Sequence, residues 1–326
     1  MFDADIQSMD AAAIGAKSWM PPQVSTGFFM TPYNPYRWKA DGMSPGMGSY
    51  MVGFTQMIPN SKKLKADFQY MNAMSSVEKE NKNYSINQLN ALAKAAWYQW
   101  LVLNKKIKIA DNNLILLDYM IKSMEIRYQY NMDKLPTYYK AKSQYSEQQS
   151  MIVMLQNDIS QKRILLNTLM ARDKNNAFEI DTTYRLIDFE NIKTDTLYLS
   201  KNRSDIKAIE KTIALNQLKI EAEKTKLLPE FGVRYDHMFA FGQQPQLYTL
   251  MGMVNIPMPW STKMNKANII SFQIKNESLN WQKQMVLNEA TDMISAMKTE
   301  LSNLKKQYDI SEKYIILPCE IIMKLP

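Results

Sequence analysis

The sequence predicts a mainly α-helical chain with short β-strand hairpins, laid out as two tandem repeats, and three observations predict it. From Trp100 the apolar positions Leu103, Ile107, Ala110, Leu114, Leu117, Ile121, Met124 and Tyr128 alternate steps of three and four, and Ala96, Leu92 and Leu89 extend the stripe backward. A 3.5-residue period held this long is a coiled-coil seam rather than the broad face of an ordinary globular helix. Second, two pairs of segments alternate apolar with polar residues and are bounded by prolines. Third, the stripe returns 201 residues later: Ala290, Met293, Met297, Leu301, Leu304, Tyr308, Ser311 and Ile315 repeat the series from Leu89 to Leu114 position for position.

Taken in order, residues 1 to 20 carry Ile6, Met9, Ala13 and Ala16 on one side and read as a helix stopped by Pro21 and Pro22. Val24, Thr26 and Phe28 alternate with Ser25, Gly27 and Phe29 in a first strand. A loop over 31–46 holds Pro32, Pro35, Gly42, Pro45 and Gly46. In the second strand Tyr50, Val52 and Phe54 share one face, and Pro59 closes it. Lys62 to Tyr130 then form one helix without proline or glycine, about 100 Å long at 1.5 Å per residue.

The pattern breaks from Asn131 to Pro136, and a second seam through Tyr138, Ala141, Tyr145, Ile152, Leu155, Ile159, Leu166 and Leu169 runs back, making an antiparallel helical hairpin. Residues 172–201 lose the period and read as a linker. Ser204 is the expected N-cap of a helix carrying Ile206, Ile209, Ile213, Ile220 and Leu227 up to Pro229. Phe231, Val233 and Tyr235 alternate with Gly232, Arg234 and Asp236 in a third strand. A fourth runs from Leu247 to Ile256, and another long helix opens near Ser261. The proline spacing is 37 residues in the first copy, Pro22 to Pro59, and 30 in the second, Pro229 to Pro259. Length tolerance of that kind belongs to exposed loops.

Composition removes several function classes. The formal charge is +8, but Lys62, Lys63, Lys65, Lys105, Lys106, Lys108, Lys305 and Lys306 are spread over helix faces without interleaved aromatics. The chain therefore has no nucleic-acid footprint. A single cysteine, Cys319, excludes an internal disulfide and a multi-cysteine metal site. No apolar run reaches the length of a membrane-spanning helix. Catalysis finds no support: there is no phosphate-binding glycine loop, no paired acid and base in a recognisable setting, and Cys319 lies far from His237. No cofactor or metal site is expected. His237, the one histidine, reads as structural or interfacial. The 25 methionines include Met71 with Met74, Met120 with Met124 and Met151 with Met154 at helical spacing, where packing is the usual role. Trp97 and Trp100 read as seam or neighbour contacts rather than a ligand cage.

Four strands in two separated hairpins do not make a stable sheet by themselves, so their edges are expected to pair with other chains. Membrane barrels alternate apolar-out with polar-in, need about eight strands to close, and three chains would supply twelve. On that reading Tyr50, Val52, Phe54, Phe231, Val233 and Tyr235 face lipid, and Arg234 and Asp236 face the lumen.

The tandem layout of helix, proline, strand, strand and long helix resembles the TolC-like outer-membrane efflux family over nearly the whole chain. Local matches are Lys226 to Pro229 before a strand, Asn202 to Ile206 opening the second repeat, and Leu166 to Arg172 closing the first. The nearest branch in flavour is the heavy-metal exporter one of the RND-type systems. The resemblance implies a fold class mainly α with membrane β: a long α-helical coiled-coil barrel plus strand hairpins that form a trimeric twelve-stranded outer-membrane β-barrel, in two tandem repeats.

The first repeat is then 1–180, with strands 23–30 and 47–58 and a helical hairpin over 60–171. Linker and second repeat follow over 181–326, with helix 204–228, strands 230–238 and 247–256, and a truncated helix 261–326. The family's function is a passive conduit in the outer membrane, extending into the periplasm of a Gram-negative bacterium. It exports metal ions, drugs or other small molecules, and its partners are a periplasmic adaptor and an inner-membrane pump, with outer-membrane lipid around the barrel. By the same resemblance the adaptor meets Arg127, Tyr128, Asn131, Met132, Asp133, Lys134 and Leu135, where Asn131 stands in place of the family's usual glycine. A signal peptide before Met1, and a second helical hairpin with its gate residues after Pro326, are expected outside this chain. The rival reading, a soluble coiled-coil scaffold or tether, explains the rods but not the matched prolines or the alternating strand faces.

Overall fold

The computed structural model describes residues 1–43, 45–132, 134–183 and 195–313. Asp133, Ile315, Cys319, the linker over 184–194 and the end of the last helix lie outside these residues. Two compact units are present, and they cut across the sequence repeats: Met1–Asn83 with Ile192–Pro326 form one, Tyr84–Asn191 the other.

The first unit holds a four-stranded antiparallel sheet of β1 (Gln23–Phe29), β2 (Ser49–Ile58), β3 (Glu230–Ala240) and β4 (Leu247–Asn255), in that spatial order. This corrects the expectation of two separated hairpins. β2 pairs with β3 from Ser49 opposite Ala240 to Ile58 opposite Phe231, so the strands of both repeats join inside one chain. Pairing between segments this distant in sequence leaves no mark on either segment alone, which is why local alternation does not reveal it.

The loops at one end of the sheet are stitched together. The Phe241 amide donates to the Gly48 carbonyl at 2.9 Å, the Gln243 amide to Pro45 at 3.0 Å, and the Gln244 side chain to Gly46 at 2.7 Å. Trp38 stacks on Phe241 at 5.4 Å, and Phe28 lies against both.

Helices in the same unit are α1 (Phe2–Gly15), the start of α2 (Ser61–Gln129), α4 (Thr196–Asn202), α5 (Ser204–Thr225) and α6 (Lys263–Ser311); α3 (Leu135–Leu169) belongs to the second unit. α1 stops at Gly15, short of the proline pair. α4 occupies part of the expected linker, capped by the Asp195 carboxylate on the Tyr198 amide. The cap position of α5 is Arg203 rather than Ser204. There the Arg203 guanidinium grips the Asp205 carboxylate at 2.6 and 3.1 Å, and Asp205 also accepts from the Ile206 amide. A charged first-turn residue takes over the work assigned to the hydroxyl.

α5 runs antiparallel to α6, buries Ile206 and Ile220 completely, and adds polar anchors. Asn216 donates to Asn276, Lys283 pairs with Glu210, and the buried Glu223 carboxylate accepts from Lys226 at 2.6 Å and Asn265 at 3.0 Å. Burial alone would raise the Glu223 pKa, but hydrogen bonds from Lys226, Asn265 and Asn268, with the Lys226 charge, outweigh it and hold it below the ordinary 4.5.

In the second unit α2 and α3 face each other through Ala96, Trp100 and Leu166, with Ala93 and Ile159 packed alongside. Leu103, Leu114, Leu117, Ile121 and Met124 are half-buried, as the stripe requires, whereas Leu89 and Leu92 are exposed, so the covered seam starts at Ala93. The non-periodic stretch after α3 is not a free tether at its start. Phe178 meets Trp100 edge-on at 5.2 Å, and the buried Asn167 amide donates to the Lys174 and Asn176 carbonyls.

Candidate functional site

The register of the sheet gives it two chemically distinct faces. Val24, Phe54, Tyr235 and Leu250 lie in one row across all four strands, and Phe28, Tyr50 and Phe239 in another. With Val52, Phe231 and Val233 they make an apolar face whose large side chains are mostly exposed, Phe231 at 56%. An apolar surface of this extent is unusual on a chain that meets only water. His237 sits on this face between Val52 and Tyr248, 4.4 Å from the Phe239 ring.

The other face mixes Ser25, Thr55, Glu230, Arg234, Asp236 and Thr249 with Met51, Met57, Met238, Met251 and Met253. Arg234 Nε donates to both Asp236 oxygens, at 3.0 and 2.9 Å. Asp236 is not a solvated strand charge: it is 2% exposed and stands over Gly53, the position opposite it on β2. A Cβ at Gly53 would strike that carboxylate and lie 2.6 Å from Ser25 Oγ, so glycine makes room for the buried ion pair. Lys63 and Glu230 close at 2.5 Å where β3 begins and α2 departs.

The turn between α2 and α3 is a second candidate site. The Met132 amide reaches back to the Arg127 carbonyl and Asn131 to Tyr128, the paired bonds of a Schellman motif, with Asn131 left-handed at φ 55. Asparagine thus serves where glycine is usual, because its short polar side chain tolerates that region. Arg127, Tyr128, Met132 and Lys134 are exposed around it; Leu135 opens α3, with Pro136 in its first turn. Among the described residues no cluster of His, Cys, Asp and Glu could hold a metal ion, and no helix is long and apolar enough to cross a membrane.

Sequence reasoning placed the strand faces but missed the β2 to β3 junction, the loop stitches and the depth at which Asp236 is buried. Gly53 and Gly232, glycines inside otherwise bulky strands, were the available signal of close approach.

No protein-family profile and no curated protein sequence matches the chain. Solved structures do. The outer-membrane channel OprN superposes with a TM-score of 0.73 at 14% identity, over 95% of this chain and 73% of that one. The outer membrane protein VceC of Vibrio cholerae gives 0.70 at 13% identity, over 95% and 76%. The MtrE outer membrane channel of Neisseria gonorrhoeae, in its open state, gives 0.66 at 12%, over 98% and 74%. The chain has the fold of the TolC-like outer-membrane channels.

Proposed function

We propose that three copies of the chain close a twelve-stranded barrel in the outer membrane of a Gram-negative bacterium, and that their helices continue it as a duct into the periplasm. The observation that carries this reading is the sheet: four strands, one apolar face and one that holds all the charged strand residues, Glu230, Arg234 and Asp236, and outer edges β1 and β4 that no further strand pairs among the described residues. Open edges invite pairing, closure removes them, and four strands per chain fall short of the eight a barrel needs.

Phe231, Val233, Tyr235, Tyr50, Val52 and Phe54 then meet lipid, and Arg234, paired with the buried Asp236, is on the face toward the lumen. On α2, Val102, Ile109 and Leu116 form a second stripe at seven-residue spacing, exposed at 48%, 61% and 62%, which suits packing against another copy. The turn from Arg127 to Leu135, Asp133 included, is the proposed contact with a periplasmic adaptor that links the duct to an inner-membrane pump. Cargo, whether metal ions, drugs or other small molecules, passes without chemistry. A soluble scaffold would leave the apolar sheet face in water, so the sheet favours the conduit.

The full-length gene product, purified in detergent from an outer-membrane fraction, is expected to scatter light as a trimer and to conduct ions across a planar bilayer. Proteases added to intact cells should nick the loops at 31–46 and 239–246, which a protein held inside the cell would not allow. A water-soluble monomer or dimer would overturn the proposal.

A further inference from the structure

The two sheet faces differ in one residue type that the conduit reading does not use. Met51, Met57, Met238, Met251 and Met253 all lie on the face of Arg234 and Asp236, and the apolar face has no methionine on any strand. Methionine as an apolar filler would serve equally well among the valines and aromatics of the other face. Hydrophobicity alone does not account for the segregation; methionine differs from the residues of the other face in its unbranched flexible chain and in its sulfur, and the sulfur is the one of the two that can bind a ligand.

The register groups these thioethers. Met57, Gly232 and Met253 form one row across β2, β3 and β4, with the residue lacking a side chain in the middle. A Cβ on Gly232 would stand 2.6 Å from Met57 Sδ and 3.3 Å from Met253 Cε, so both side chains lean into the space above the glycine. Met51 lies directly opposite Met238 nearer the other end of the strands. Between the pairs, the guanidinium of Arg234 is neutralised by Asp236.

We propose that this face binds soft monovalent cations of the Ag(I) and Cu(I) type, with Met57 and Met253 over Gly232 as the first site and Met51 with Met238 as the second. Neutral thioether donors suit soft metals and have little affinity for hard ones. Two spaced sites of neutral donors also hold an ion weakly enough to release it, which passage along a pore requires. No electron or proton moves on binding. The inference rests on the conduit reading only in taking this face as the lumen.

The test uses the whole chain in detergent, with methionine methyls labelled with carbon-13, titrated with silver nitrate in chloride-free buffer. Met57→Leu and Met253→Leu assign the two resonances. Saturable shifts of both methyls are expected, with silver affinity falling at least tenfold in the double leucine variant and in Gly232→Ala, whose Cβ occupies the space the thioethers share. Unmoved Met57 and Met253 methyls, or unchanged affinity in the double variant, would overturn the inference. Should the double variant not fold, the wild-type shifts still decide. A conducting trimer without methyl shifts sinks only the metal site; a soluble monomer that shows them sinks only the conduit.

Discussion

α2 and α6 carry the same heptad stripe 201 residues apart, yet the stripe is used differently in each. In α2 it is covered from Ala93 onward: Ala96 is 2% exposed, Trp100 5% and Ala110 3%. In α6, Met297, which matches Ala96, is 59% exposed, and Leu304 and Tyr308, which match Leu103 and Ile107, are 53% and 63% exposed; Leu301 and Ser311, which match Trp100 and Ala110, are half-buried. At the start of the stripe the order reverses, since Leu89 is 50% exposed and its counterpart Ala290 is 4%. α3 covers the distal part of one stripe, whereas the polar contacts of α5 fall on α6 between Asn265 and Lys283, ahead of the other. The first pair is held by an apolar cluster, the second adds hydrogen-bonded anchors at Asn216, Glu223 and Glu210. A periodic stripe announces that a helix has a partner, but not where along it the partner lies.

The largest expected effect tests the covered stripe. Trp100→Ala should destabilise by about 3–5 kcal/mol in denaturant unfolding, because it empties the contact with Leu166 and Phe178. Leu304→Ala, at the position matching Leu103, should stay within about 0.5 kcal/mol. A cost comparable to that of Trp100→Ala would mean that the distal α6 stripe is covered in the assembled protein. Next, Asn167→Ala leaves the Lys174 and Asn176 carbonyls without their donor and should cost roughly 2 kcal/mol, with faster proteolysis after residue 172. Smaller, and opposite in sign, is Ala171→Gly. Ala171 closes α3 with the same Schellman bonds as Asn131 closes α2, at φ 54, where an alanine is strained. Glycine there should stabilise by about 1 kcal/mol.

The smallest effect is pH-dependent and belongs to α5 and α6. The carboxyl of Glu223 is held below its ordinary value, so its contribution is complete above about pH 4.5 and fades as pH falls through the lowered folded value. The unfolding midpoint should therefore drop on acidification less steeply in Glu223→Gln than in the wild type. Identical acid limbs would show that the anchor contributes nothing.

These contrasts mark what was legible in the sequence. Period-two alternation revealed both faces of the strands, because one-sided burial imposes it residue by residue. The left-handed turn at Asn131 was readable from its chemistry. Trp100 was readable as a seam residue, but its contact with Phe178 was not, since an extended segment without period can still be pinned by one aromatic ring. Ser204 was misplaced as a cap because Asp205, held by Arg203, competes for the same amides. The silent methionine face is invisible to composition and appears only once register assigns each strand residue a side.

The β2 to β3 junction also governs the order in which the chain can fold. Ile58 waits for Phe231, so roughly 170 residues must be made before the second strand finds its inner neighbour. At synthesis rates of about 5–20 residues per second, that leaves the first hairpin without its partner for on the order of ten seconds or more. A lone two-stranded hairpin is marginal in water, and until β3 arrives the inner edge of β2 is open to any passing chain. Until residues 230–240 exist, residues 23–58 can form nothing larger than that hairpin, so the sheet is completed late in synthesis whatever the stability of its first half.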